Sequence, residues 1–236
     1  MYIDVHCHND ATNAILQVQQ AHHMASTISS TSNAEYRNNK KQVGSRQILS
    51  YGIHPWRAAT EILDEELLRH VAVVGEIGLD NTWTTVPLTV QRPAFQCQLQ
   101  SAADHHQPVV LHVKGVEEEL LRTIRKFPRV HKLVHWYSAN ELLAQYLRVP
   151  NTWFSVGPDV FKDPAVQAVA RQVSLDQLFI ESDGFEGISW ALDRPVDQGS
   201  YYQTIQQMYQ FVAKLRDLTP GQLERQIELN WHNFMN

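Results

Sequence analysis

Cysteine is scarce in this chain: Cys7 and Cys97 are the only two in 236 residues, and neither belongs to a CxxC pair. Two such residues make no disulfide framework, which excludes a stapled secreted scaffold. Long apolar runs are missing as well. No stretch reaches the ~18 consecutive apolar residues of a membrane span. The opening MYIDVHCHND has neither the positive segment nor the apolar segment of a secretory leader. The expectation is a cytoplasmic protein with reduced thiols, no membrane association and no obligate protein partner.

Positive charge is not in excess. Lys and Arg number 20 against 25 Asp and Glu, a net charge of −5, so a whole-protein basic field for gripping long nucleic acid is absent. The local cluster Arg122, Arg125, Lys126, Arg129 and Lys132 reads as a solvated helix end. Nor is there a Pro-, Gly- or Ser-rich linker, a low-complexity block or an exact repeat. The chain is therefore expected to form one domain over residues 1–236, a common length for an α/β barrel.

What is present is a rhythm. Short apolar, β-branched runs fall at residues 2–5, 24–29, 47–51, 71–77, 108–112, 131–135, 152–156 and 178–181. Between them lie stretches with the ~3.6-residue apolar period of helices, at 61–70, 90–106, 116–127, 141–147, 166–173 and 201–215. A polar loop and short helix follow the second run, and a closing helix begins near Thr219 and Pro220, residues suited to a cap and a first turn. Strands alternating with helices imply parallel βαβ units. Eight of them make a (β/α)8 barrel. The rival, a doubly wound open sheet, carries a glycine-rich phosphate loop after its first strand; here that strand ends in HCHND, without a glycine.

Barrel enzymes place their chemistry at the C-terminal ends of strands. The first run ends in His6 and His8, the fourth carries Glu76, the fifth ends in His112, the sixth in His135, and the eighth runs into Glu181 and Asp183. Residues two apart on a strand share a face, so His6 and His8 can reach one ion. Glu76 lies in VVGEIGLD, where a carboxylate is costly to bury unless it is paired or bound to metal; Gly75 and Gly78 let the backbone pass close to the site. Each residue has a bland reading: His112 and His135 as satisfied core histidines, Glu76 as half of a buried ion pair, Asp183 as a helix cap. Glu181 and Asp183 share strand parity, so both can point inward. Four histidines and two carboxylates exceed what one tetrahedral ion needs. Two divalent ions bridged by Glu76 would use them all, with Mg, Mn or Zn suited to the nitrogen and oxygen donors. Such a centre acidifies a water for attack on an electrophile, with Asp183 handling the proton.

The stretches IDVHCHND, YGIHPW, VVGEIGLD, PVVLHVK, LVHWYSA and LFIESD, in this order along nearly the whole chain, resemble the TatD-related deoxyribonuclease family of metal-dependent, amidohydrolase-like barrels. The resemblance implies His6, His8, Glu76 and Asp183 around one metal, and Glu76, His112 and His135 around the other. It implies that His54 and Lys114 line the pocket and meet a phosphate, with His54, Glu76 and Asp183 serving catalysis. The chain departs from the family's usual pattern at Lys114 (Arg), Trp136-Tyr137 (Cys-Phe), Ala139 (Gly) and Ser182 (Thr), and lacks the proline that usually follows Asp183. Trp136 and Trp190 read as base-stacking or as packing residues. The implied activity is phosphodiester hydrolysis on DNA ends or short nucleic acids. Amide or lactone hydrolysis on the same barrel, or a metal-binding scaffold without turnover, are the competing readings.

Overall fold

The computed structural model describes residues 1–236. Its strands are β1 (Ile3–His8), β2 (Ala25–Ser29), β3 (Gln47–Tyr51), β4 (Val73–Asp80), β5 (Val109–Lys114), β6 (Lys132–Val134), β7 (Thr152–Val156) and β8 (Leu178–Ile180). They form one sheet in chain order, every neighbouring pair parallel. The intervening helices are α1 (Ala14–Ala21), α2 (Asn33–Asn39), α3 (Glu65–His70), α4 (Leu88–Asp104), α5 (Glu117–Ile124), α6 (Asn140–Tyr146), α7 (Pro164–Gln172), α8 (Gly184–Leu192), α9 (Gln198–Leu215) and α10 (Pro220–Met235). This is the (β/α)8 barrel that the alternation predicts. Strands covered on both faces need apolar residues at successive positions, and Val109, Val110 and Leu111 are fully buried.

All eight strands fall where the apolar runs lie. Three of them extend further toward their C-terminal ends than hydropathy alone suggests: β1 to His8, β4 to Asp80 and β5 to Lys114. Each extension ends in a polar or charged residue, His8, Asp80 or Lys114, which breaks the apolar pattern just where side chains reach the barrel mouth. Helix α3 starts at Glu65 and not at residue 61, because the Asp64 side chain accepts the Leu67 backbone N–H and caps the helix there. Helices α1 and α8 escape the sequence pattern. Neither has a side-chain cap, and both are short, so tertiary packing has to hold them. Helix α10 begins at Pro220 as expected, with a reciprocal capping box between Thr219 and Gln222.

The seam between β8 and β1 is stitched by Asp4. Its carboxylate accepts the Ser182 backbone N–H at 2.8 Å, the Ser182 hydroxyl at 2.5 Å and the Tyr201 hydroxyl at 2.6 Å. One backbone bond, Asp183 N–H to the His6 carbonyl at 3.2 Å, crosses the same seam. That bond places Asp183 beside the first strand's histidines. Asn230 on α10 closes the opposite end, donating to the carbonyls of Leu175 and Leu178 at 2.8 Å each.

One residue of the basic cluster is not at a solvated helix end. Lys132 is fully buried at the start of β6. Its ammonium donates to the Val130 carbonyl at 2.5 Å and the Phe127 carbonyl at 3.0 Å. Its four-carbon stem is buried in apolar surroundings while the cation satisfies two carbonyls of the loop between α5 and β6.

Candidate metal centre

Six side chains from five strand ends meet at the C-terminal mouth of the barrel. Glu76 is the hub. Its Oε2 lies 3.3 Å from His6 Nε2 and 3.1 Å from His8 Nε2. Its Oε1 lies 2.8 Å from His112 Nδ1 and 2.8 Å from His135 Nε2. Asp183 Oδ1 completes the first group, 3.3 Å from His6 Nε2 and 3.6 Å from His8 Nε2. Each oxygen of this carboxylate thus faces its own pair of ring nitrogens, and the pairs adjoin, His6 and His135 lying close enough with Glu76 to share an ion. Asp183 sits at the N-cap position of α8 but makes no side-chain cap bond. Its carboxylate is turned to the histidines, so the helix-cap reading is discarded.

The backbone makes this convergence possible at Gly78. Strands β4 and β5 pair with a register shift between Val74 and Ile77, the mark of a bulge, which re-aims a side chain. Gly78 has φ +156°, and a Cβ there would lie 1.9 Å from the His112 carbonyl oxygen. Only glycine lets the two strands run this close.

Two carboxylates that the sequence reading did not place orient the donors. Asp80 Oδ2 lies 2.9 Å from His112 Nε2 and also accepts the Trp56 indole N–H at 2.6 Å. Glu181 Oε1 lies 3.1 Å from His135 Nδ1, and its Oε2 accepts the Ser155 hydroxyl at 2.5 Å. An ionised carboxylate can only accept, so each of these ring nitrogens carries a proton, and the opposite one is the nitrogen that would give up its own to a metal. Those opposite nitrogens, His112 Nδ1 and His135 Nε2, are the ones facing Glu76. This is the carboxylate–histidine arrangement that prepares an imidazole to bind a metal. Glu181, of the same strand parity as Asp183, also faces inward, but toward a histidine's far side. Asp80 stood in the quoted VVGEIGLD, four residues beyond Glu76 and of the same parity, which was the available signal.

His54 reaches the same hub, with Nε2 3.2 Å from Glu76 Oε1. Its Nδ1 accepts the Trp56 backbone N–H at 3.2 Å. In neutral His54, therefore, Nδ1 is the acceptor and Nε2 carries hydrogen into the site. A protonated nitrogen cannot ligate, but it can donate to a carboxylate or phosphate oxygen. Burial pushes the His54 ring down to about 4, keeping it neutral. Lys114 lies on β5 two residues past His112, in the same cavity. Its ammonium donates to the Trp136 carbonyl at 3.1 Å.

The residues fit divalent cations. His6 Nε2 and Asp183 Oδ1 are buried yet have no hydrogen-bond partner, an expensive condition for a ring nitrogen and a carboxylate. Burial alone would push Glu76 up, but His135, His54 and His112 hold it well below the usual carboxylate range. Burial opposes a charged His135, yet Glu76 and Glu181 drive its ring up to about 9. Protons on these rings supply the positive charge that the carboxylates demand; a bound cation would supply it instead. Of the two central carboxylates, Glu76 is 2% exposed and Asp183 25%, so Asp183 is the one with a path to solvent.

A model of the TatD related DNase family matches residues 3–236. The chain belongs to that family. Over 125 residues it is 26% identical to the uncharacterized metal-dependent hydrolase YabD of Bacillus subtilis, a match covering 50% of this chain and 49% of that protein. Over 148 residues it is 28% identical to the human 3′-5′ RNA nuclease TATDN2, covering 57% of this chain and 19% of that one. The aligned part thus spans about half of the first relative and about a fifth of the second. The crystal structure of YjjV, a TatD homologue of Escherichia coli, shares the fold with a TM-score of 0.84 at 18% identity, over 99% of this chain and 97% of that one. Within the TatD fold this member builds the mouth of its cavity with Trp56, Trp83, Trp136 and Trp190, of which Trp56 and Trp83 had no assigned role in the sequence reading.

Proposed function

We propose that residues 1–236 form one catalytic domain, a phosphodiesterase using two divalent ions, that acts on the ends of short or single-stranded nucleic acids. The observation that carries this reading is the split of Glu76, Oε2 toward His6 and His8 and Oε1 toward His112 and His135. In this reading His6, His8, Asp183 and Glu76 would hold one ion, and His112, His135 and Glu76 would hold the other. When bound, the ions supply Lewis acidity, polarising the phosphoryl group and acidifying water. Asp183, central yet open to solvent, takes the proton from the attacking water and passes it out. His54 donates from Nε2 to a phosphate oxygen, and Lys114 adds a fixed positive charge beside it. The human relative's description as a 3′-5′ RNA nuclease supports a nucleic-acid substrate read from a 3′ end.

The cavity's electrostatics narrow the substrate. Asp10, Glu35, Asp159, Asp163 and Glu186 line it, against Arg57 and Lys114. Such a wall repels a long polyanionic duplex and leaves few protein cations for phosphates. A short or unpaired strand that presents one phosphate to the metals fits better.

Metal content and hydrolysis of bis-p-nitrophenyl phosphate and single-stranded DNA, measured on one preparation of wild type and the double variant His6→Ala/His8→Ala, test the reading. About two ions per chain and Mg- or Mn-stimulated cleavage are expected, with cleavage lost in the variant. Bound metal without phosphodiester cleavage would overturn it and move the same centre to amide or lactone bonds.

A further inference from the structure

Seven large apolar side chains are exposed on this protein, and three of them, Trp56, Trp83 and Trp190, line the cavity that holds the candidate metal centre. Trp83 is 50% exposed and Trp190 59%. Exposed indoles are otherwise easy to bury, so this concentration in one cavity asks for an occupant. Trp83 and Trp190 meet with ring centroids 5.8 Å apart and planes tilted by 59°. Trp136 abuts Trp190 edge-on at 5.6 Å. It is itself buried, pressed toward Gly157, where a Cβ would come within 2.3 Å of the indole. Trp190 therefore rests on a fixed ring and Trp83 on Trp190.

Cationic charge stands beside the aromatic faces. The Lys114 ammonium lies 5.2 Å from the centroid of the Trp83 ring. Trp83 follows the end of β4, whose Asp80 orients His112, while Trp190 lies seven residues along α8 from Asp183, two helical turns or about 10 Å. The indoles thus share one cavity with the centre, and Lys114 stands beside Trp83 in it.

We propose that Trp83 and Trp190 are a nucleobase platform, on which the unpaired terminal base of a single strand stacks while its phosphate lies at the metal centre beside Lys114. This rests on the phosphodiesterase reading for the second half of the statement only. The tilt is too steep and the rings too close for a base to slide between them face to face. The base lies flat on one indole and meets the edge of the other, an arrangement aromatic pairs prefer. Every base has a π face, so the platform is tolerant of sequence and selects unpaired ends, because a base inside a duplex has both faces covered by its neighbours. The specificity therefore lies in strandedness.

The test uses a single-stranded tetranucleotide, and the same strand with an abasic 3′-terminal nucleotide, on Mn-loaded protein. Wild type is compared with Trp83→Ala/Trp190→Ala and with Trp83→Phe/Trp190→Phe. Two readouts are taken: KM for cleavage, and quenching of tryptophan fluorescence by a phosphorothioate version that resists cleavage. Wild type should bind the complete strand on the order of tenfold more tightly than the abasic one. The alanine variant should lose that preference, with no further loss on the abasic strand, and the phenylalanine variant should keep part of it. Equal binding of complete and abasic strands by wild type overturns the platform. So does an alanine variant that still discriminates. If wild type cleaves nothing but the quenching pattern holds, the platform stands and the phosphodiesterase reading falls; cleavage without any base preference is the reverse.

Discussion

At the scale of single residues, the candidate centre depends as much on the groups behind the histidines as on the histidines. Asp80 and Glu181 each hold one ring nitrogen in its protonated form, leaving the opposite nitrogen, toward Glu76, as the one free to take a metal. Asp80→Asn and Glu181→Gln keep the shape but exchange an obligatory acceptor for an amide that can present a donor. Loss of such a partner costs roughly 10–100-fold in metal affinity. Each variant should therefore weaken binding of one ion by about that factor and leave the ion at His6 and His8 bound, as read by metal titration. Equal loss of both ions would contradict the division into two positions. His54 follows the opposite rule. With Nδ1 occupied by the Trp56 N–H, it is a donor and not a ligand, a distinction that no residue type or spacing conveys.

Among the elements, β4 carries the most. It brings Glu76 to the hub and Asp80 to His112, and it passes β5 closely enough that Gly78 tolerates no side chain. In Gly78→Ala the new methyl would overlap the His112 carbonyl, so strand or ring has to move. A destabilisation on the order of 3 kcal/mol is expected from forcing that backbone, together with loss of the ion held by His112 and His135. Urea unfolding and metal analysis of the variant check both; normal stability with both ions retained would show that the strands can part freely. The polar ends of β1, β4 and β5 also explain why sequence placed the strands well but stopped several short. An apolar pattern ends where the functional residues begin. Helices α1 and α8 went unread for the converse reason: they lack capping side chains and depend on packing against the barrel.

For the whole molecule, charge sets two expectations. The cavity offers Arg57 and Lys114 against five carboxylates outside the centre. Affinity for single strands should accordingly fall with salt at a log–log slope no steeper than about −1.4, the value for two phosphate contacts. A slope several times steeper would reveal a phosphate track outside this cavity. The second concerns Lys132, whose ammonium burial lowers to about 8 from the ordinary 10.5. Between those two values the unfolded chain holds a proton that the folded chain has released, so stability rises with pH across that window. Below about pH 8 both states are protonated and the effect is flat. The difference in urea midpoint between wild type and Lys132→Met should change between pH 7.5 and 10; a constant difference would mean that Lys132 keeps its proton.

The sequence by itself determined the barrel and the residue types at its mouth. Eight apolar runs separated by amphipathic ones leave few architectures, and polar groups at the ends of buried strands are too costly to be accidental. Only the tertiary structure decided how those groups divide: which oxygen of Glu76 faces which histidines, which carboxylate orients which ring, and that Lys132 is inside and Trp83 outside. Those facts depend on register between strands far apart in the chain. The bulge in β4 and the bond from Asp183 to His6 across the seam set that register, and neither is a property of any one stretch of sequence.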